Sequence, residues 1–179
     1  MKYKKLKMAG TIGLIATLGA CLPAPKVATG DSRVEQAETQ LQAKGIITHG
    51  QSSTSLWDNT EITDDCDQAG AKVAYVVGPN EAIQTTTPIQ TAAYFMGFTN
   101  AVCLDKGAGS VFFVKFAGTD LTYYGGSAAN TRWNQFWSYM TTTYNLPVKT
   151  WDATPYLVDG VHLNAAGKLA FATWLDAQY

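Results

Sequence analysis

Ala71-Lys72-Val73-Ala74-Tyr75-Val76-Val77, running directly into Gly78-Pro79-Asn80-Glu81, is the stretch from which the fold is read. Valines and an aromatic make it a strand, and Gly-Pro-Asn is a stop. Working outward, shorter runs of the same kind stand at 26–29, 45–49, 110–116 and 147–151. Between them lie segments rich in helix formers. Residues 33–44 hold Glu35, Gln36, Ala37, Glu38, Gln40, Leu41, Gln42 and Ala43 and end at Gly45, a natural helix terminator. Residues 88–104 and 127–144 read as two more helices, and Trp133, Phe136, Trp137 and Tyr144 recur there at the spacing of a core-facing stripe. A closing helix over 165–177 has Asn164 at its N-cap position. Residues 50–55 form a polar loop, and 58–70 are acidic and irregular. Strands alternating with helices predict a three-layer α/β sandwich around a parallel, flavodoxin-like five-stranded sheet.

Sites in such sheets form at the carboxyl ends of the strands. Ser32 follows the first strand, Gly50 the second and Asn80 the third. Tyr123-Tyr124-Gly125-Gly126 follows the fourth, and Asp159 and His162 follow the fifth. Each has a plainer reading: Asp31 or Ser32 as an N-cap, Asn80 as a turn residue after Pro79, Asp159–His162 as a surface turn. Their convergence on one edge favours chemistry. A carboxylate three residues from a histidine can hold one imidazole nitrogen and leave the other free as a base. The chain has only two histidines, His49 and His162, so the choice of base is narrow.

The amino end bounds the compartment. Lys2, Lys4, Lys5 and Lys7 precede an apolar run over 8–20, too short to span a bilayer comfortably. This is the layout of an export signal over residues 1–20. Leu18-Gly19-Ala20-Cys21 resembles the lipobox of bacterial lipoproteins, which implies cleavage before Cys21 and a lipid on its sulfur. Leu22, not Asp, follows the cysteine, which in a two-membrane envelope implies an outer-membrane address. Loss of residues 1–20 removes four Lys and no acid, leaving 159 residues and moving the formal charge from −1 to −5. Residues 21–25 are then a short tether, and 26–179 make one domain large enough for a real core. An acidic domain of this kind argues against nucleic acid as a partner. Cys66 and Cys103 can close one disulfide in an exported chain; the alternative is a free buried pair. Their spacing does not suit a zinc site.

Gly30-Asp31-Ser32, Gly50, Gly78-Pro79-Asn80 and Asp159-Gly160-Val161-His162 resemble, in this order, the four blocks of the SGNH hydrolases, also called GDSL esterases and lipases. The resemblance covers essentially the whole chain after the signal. It implies Ser32 as nucleophile, His162 as base and Asp159 as the group that orients the base. It implies an oxyanion hole from the Ser32 and Gly50 backbone N–H groups and the Asn80 amide. No metal or organic cofactor is implied. The chain departs from the pattern at Arg33, where many members have Leu, at Glu81, where an Asp is usual, and in the short acidic region before Ala71. The function implied is hydrolysis of short acyl esters, O-acetyl groups above all, on an envelope or extracellular glycan. The alternatives are a lipase or thioesterase, and a catalytically silent envelope lipoprotein that binds glycan or protein in the same cleft. Tyr123, Tyr124 and Arg132 would meet a sugar or aryl group from the loop after the fourth strand. Membrane contact is expected through the lipid anchor alone, and oligomeric state is left open.

Overall fold

Five strands form where the apolar runs stand: β1 (Lys26–Gly30), β2 (Ile46–Gly50), β3 (Lys72–Val76), β4 (Ser110–Ala117) and β5 (Val148–Asp152). The structure, a computed structural model, describes residues 23–51, 66, 68–84 and 87–179. The expected export signal, Cys21 and most of the acidic stretch before Ala71 lie outside the described residues. The strands are all parallel, in the order β2-β1-β3-β4-β5, as the alternation predicted.

Alternate side chains of the inner strands β1, β3 and β4 enter two cores. Val27, Val73, Tyr75, Val111 and Phe113 point to one side, Ala28, Ala74, Val76, Phe112, Val114 and Phe116 to the other. A parallel sheet must be covered on both faces, which is why its central strands are apolar throughout. Helices α1 (Ser32–Gln36), α2 (Glu38–Gln42) and α6 (Ala165–Asp176) cover the second core through Val34, Leu41, Phe171 and Leu175. Helices α4 (Ile89–Asp105) and α5 (Thr122–Ser138) cover the first. Trp133, Phe136 and Trp137 are buried there and Tyr144 packs against them, as their spacing indicated. Full burial of a residue such as Phe113 contributes about 2–3 kcal/mol.

Three elements differ from the sequence reading. The helix expected over 33–44 is divided at Ala37, which serves as C-cap of α1 and N-cap of α2. A four-residue helix, α3 (Asn80–Ile83), follows β3 directly. Residues 123–126 were expected as a loop; residues 122–125 form a short helical turn instead, and the non-helical Gly126 (φ 66°, ψ −173°) divides it from the rest of α5, which follows from residue 127 as expected. The reason is local: Asn130 accepts from Leu121 N–H and donates to Asp120, and Asp120 accepts from Thr122, so the opening turn is held in place. Cys66 and Cys103 are joined by a disulfide that ties the segment before β3 to α4.

Candidate active site

The sheet order reverses at β1, which has β2 on one side and β3 on the other. Crevices open outside the carboxyl ends at such a switch point. There the chain makes its tightest turn. Gly30 has φ +130°, and a Cβ on it would stand 2.0 Å from the Val76 carbonyl oxygen, so only glycine fits. Asp31 N–H donates to that same carbonyl at 3.1 Å. Its carboxylate caps α1 by accepting from Arg33 N–H (3.0 Å) and takes Arg33 Nε at 2.8 Å. Arg33 also donates to the Val77 carbonyl at 3.1 Å, so the turn is bolted to the end of β3. Ser32, half-buried, is the first residue of α1.

Gly50 lies in register with Gly30, and a Cβ on it would sit 2.2 Å from Glu35 N. Bare backbone is what lets β2 approach α1 so closely. Asn80 opens α3, just past the β3 end. Arg132 of α5 holds that helix from behind: Nε donates to Ala82 O at 2.7 Å and Nη2 to Ile83 O at 3.4 Å.

The fourth part is the turn between the bridged residues Leu157 and Leu163. Within it Asp159 Oδ1 accepts the backbone N–H groups of Val161 (3.0 Å) and His162 (2.7 Å). Asp159 Oδ2 takes His162 Nδ1 at 2.6 Å and the Tyr124 hydroxyl at 2.6 Å. Partial burial alone would raise the Asp159 carboxyl. The hydrogen bonds from Tyr124, His162 and the two backbone donors together outweigh it and hold the group below the usual carboxylate range. The same bond pushes the Tyr124 hydroxyl up to about 12, with burial and the Asp159 charge adding to it. Asp159 is thus a fixed anion, Nδ1 carries the proton, and Nε2 is left as the basic nitrogen.

Asp31, Ser32, Pro79, Asn80, Ile83, Tyr124, Val161 and His162 line one cavity of about 240 Å³. The structure therefore brings together Ser32, Asn80, His162 and, one bond behind, Asp159. Gly50 sits beside the Ser32 turn without lining the cavity. Tyr123 and Arg132 do not line it either: Tyr123 is exposed and packs edge-on against Tyr124, while Arg132 serves α3. Arg33 and Ile83 were not singled out as site residues. Nothing local in the sequence marks either of them. Among the described residues no three His, Cys, Asp or Glu side chains cluster as a metal site would require.

The sequence matches no family model and no curated protein. Solved structures do match in shape. A member of the lipolytic G-D-S-L family from Veillonella parvula superposes with a TM-score of 0.62 at 13% identity, over 87% of this chain and 97% of that one. The C-terminal catalytic domain of peptidoglycan O-acetyltransferase A from Streptococcus pneumoniae gives 0.57 at 16% identity, over 87% and 91%. An acetyl-xylooligosaccharide esterase from Geobacillus gives 0.54 at 13% identity, over 88% and 95%. With its five parallel strands between helical layers, the chain has the α/β fold of the SGNH, or GDSL, hydrolases.

Proposed function

We propose that this chain is a serine esterase that removes short acyl groups, O-acetyl above all, from a glycan of the cell envelope or its surroundings. The observation that carries the reading is that Ser32, Asn80 and His162 face one cavity while Asp159 holds the far side of the His162 ring. In the reaction, Ser32 Oγ attacks the ester carbonyl as its proton passes to His162 Nε2. The carbonyl oxygen becomes an oxyanion, met by the Ser32 and Gly50 backbone N–H groups and the Asn80 amide; each donor lowers the barrier by about 3 kcal/mol. The intermediate collapses, the C–O bond to the alcohol breaks, and the alcohol takes the proton from His162. Water then attacks the acyl-serine along the same path, giving the free acid and restoring Ser32.

Size favours a short acyl group. The cavity, about 240 Å³, is below the roughly 300–1,000 Å³ of pockets for drug-sized ligands. Pro79, Ile83 and Val161 give it apolar walls. The names of two structural neighbours, a peptidoglycan O-acetyltransferase and an acetyl-xylooligosaccharide esterase, point to acetyl groups on glycans. Export and lipidation at Cys21 would place the enzyme beside such glycans.

The test uses the soluble chain from residue 22 with chromogenic esters of increasing acyl length. Acetyl and propionyl esters are expected to be turned over best, and a fluorophosphonate to label Ser32. Ser32→Ala and His162→Ala are each expected to lower kcat at least about a thousandfold. Asn80→Ala should lower kcat by about a hundred- to a thousandfold with little change in KM. A correctly folded chain that takes no label and cleaves no ester would instead be a binding protein on this fold.

A further inference from the structure

Asp159 accepts more hydrogen bonds than its own turn supplies. Two backbone donors hold Oδ1, and His162 Nδ1 holds Oδ2. The remaining donor, the Tyr124 hydroxyl, arrives on the same Oδ2 from α5, with a sequence separation of 35 residues. The phenol oxygen also stands 3.3 Å from Nδ1 itself. Tyr124 lines the cavity, so one side chain both bounds the substrate space and touches the group behind the base.

We propose that Tyr124 is a positioning residue of the site: its hydroxyl fixes Asp159 Oδ2 against the imidazole and shares that oxygen with Nδ1–H, so setting how strongly Asp159 supports a protonated His162. The proposal deepens the esterase reading, and its kinetic consequences rest on it. Two donors on one oxygen divide its negative charge. Removing the phenol therefore concentrates that charge on the Nδ1–H bond and favours the imidazolium. The other ionisable groups near the ring do not compete for this role. Asp31, across the cavity, is bound to Arg33. Asp120 meets the turn through its backbone, its N–H donating to Gly160 O, while its carboxylate is engaged by Thr122 and Asn130. Tyr123 touches Tyr124 and does not line the cavity.

Tyr124→Phe keeps the ring and deletes the hydroxyl. In this variant the acid limb of the kcat/KM profile is expected to move to higher pH by about half to one unit, with KM for a small neutral ester unchanged. In the same protein, the Nδ1 proton resonance of His162 should move downfield as its bond to Asp159 strengthens. An acid limb and an Nδ1 resonance both left at their wild-type positions overturn the proposal. So does a raised KM with an unmoved acid limb, the signature of plain substrate contact. If the wild-type chain cleaves no ester, the esterase reading fails, and the Nδ1 resonance by itself decides the role of Tyr124.

Discussion

A guanidinium with no exposed surface needs partners in every direction, and Arg33 has them. Asp31 Oδ2, Val77 O and Thr119 Oγ1 take its N–H groups, and the Phe116 ring lies 4.4 Å from its central carbon. Arg33 ties the Ser32 turn to the ends of β3 and β4. Removing one partner of such a pair leaves the other charge buried, which costs more than the pair itself contributes. Arg33→Leu is therefore expected to destabilise the fold by about 3–5 kcal/mol, read as a fall in the urea midpoint. The double variant Asp31→Asn with Arg33→Leu should recover part of that loss, because no unpaired charge remains. At this scale the sequence was half legible. Ser32, Asn80 and His162 each stand in or beside a glycine-marked turn. Arg33 looks in sequence like a surface residue of a first helical turn. Tyr124 could be placed on the right edge, but its partner is distant in the chain and leaves no local trace.

At the scale of elements, the strands were read nearly to the residue because each is a short apolar run closed by a turn signal. Helix α5 proper begins after the kink at Gly126, as read; the short helical turn ahead of it was missed because Gly125 and Gly126 look like a loop. What overrides them is the polar bracket formed by Asp120, Thr122 and Asn130, a pattern that hydrophobic periodicity does not register. This bracket makes the opening turn of α5 sensitive to acid. Hydrogen bonds from Thr122 and Asn130 lower the Asp120 carboxyl to about 2, below its value in the unfolded chain. A group depressed on folding stabilises the fold above its unfolded pKa and loses that effect as pH falls through its folded one. Protection of the Thr122 and Tyr124 amides, taken relative to their intrinsic exchange rates, should therefore fall between about pH 4 and pH 2, and Asp120→Asn should lose that pH dependence. The disulfide gives a second prediction. It joins residues 37 apart, for which loop closure implies about 3–4 kcal/mol. Cys103→Ser, or reduction, should lower the urea midpoint accordingly while leaving the cavity around Ser32 and His162 assembled, because Cys103 lies near the end of α4 remote from the strands' carboxyl ends.

Over the whole molecule, the strand–helix alternation made a parallel sheet readable, and parallel strands necessarily bring every carboxyl end to one edge. That is why residues from 32 to 162 could be placed together before any contact was known. The order β2-β1-β3-β4-β5 is that of the flavodoxin-like sheet expected from the sequence. The same geometry would orient the molecule if Cys21 carried a lipid. Lys26 begins β1 and Ser32 follows its far end, a strand of five residues or about 16 Å. With a lipid on Cys21, the four residues 22–25 reach at most about 14 Å. The amino edge of the sheet would then stay against the bilayer and the cavity would open away from it. Bound to vesicles through Cys21, the protein is expected to cleave a soluble acetyl ester at the rate of the released domain and to leave the phospholipid esters of the same vesicle intact. Lengthening the tether with a flexible Gly-Ser insert after Leu22 should then allow the cavity to tip towards the surface, without changing turnover of the soluble ester. Phospholipid cleavage by the natural tether, at a rate matching that of the soluble ester, would show that the short span does not hold the cavity away from the membrane.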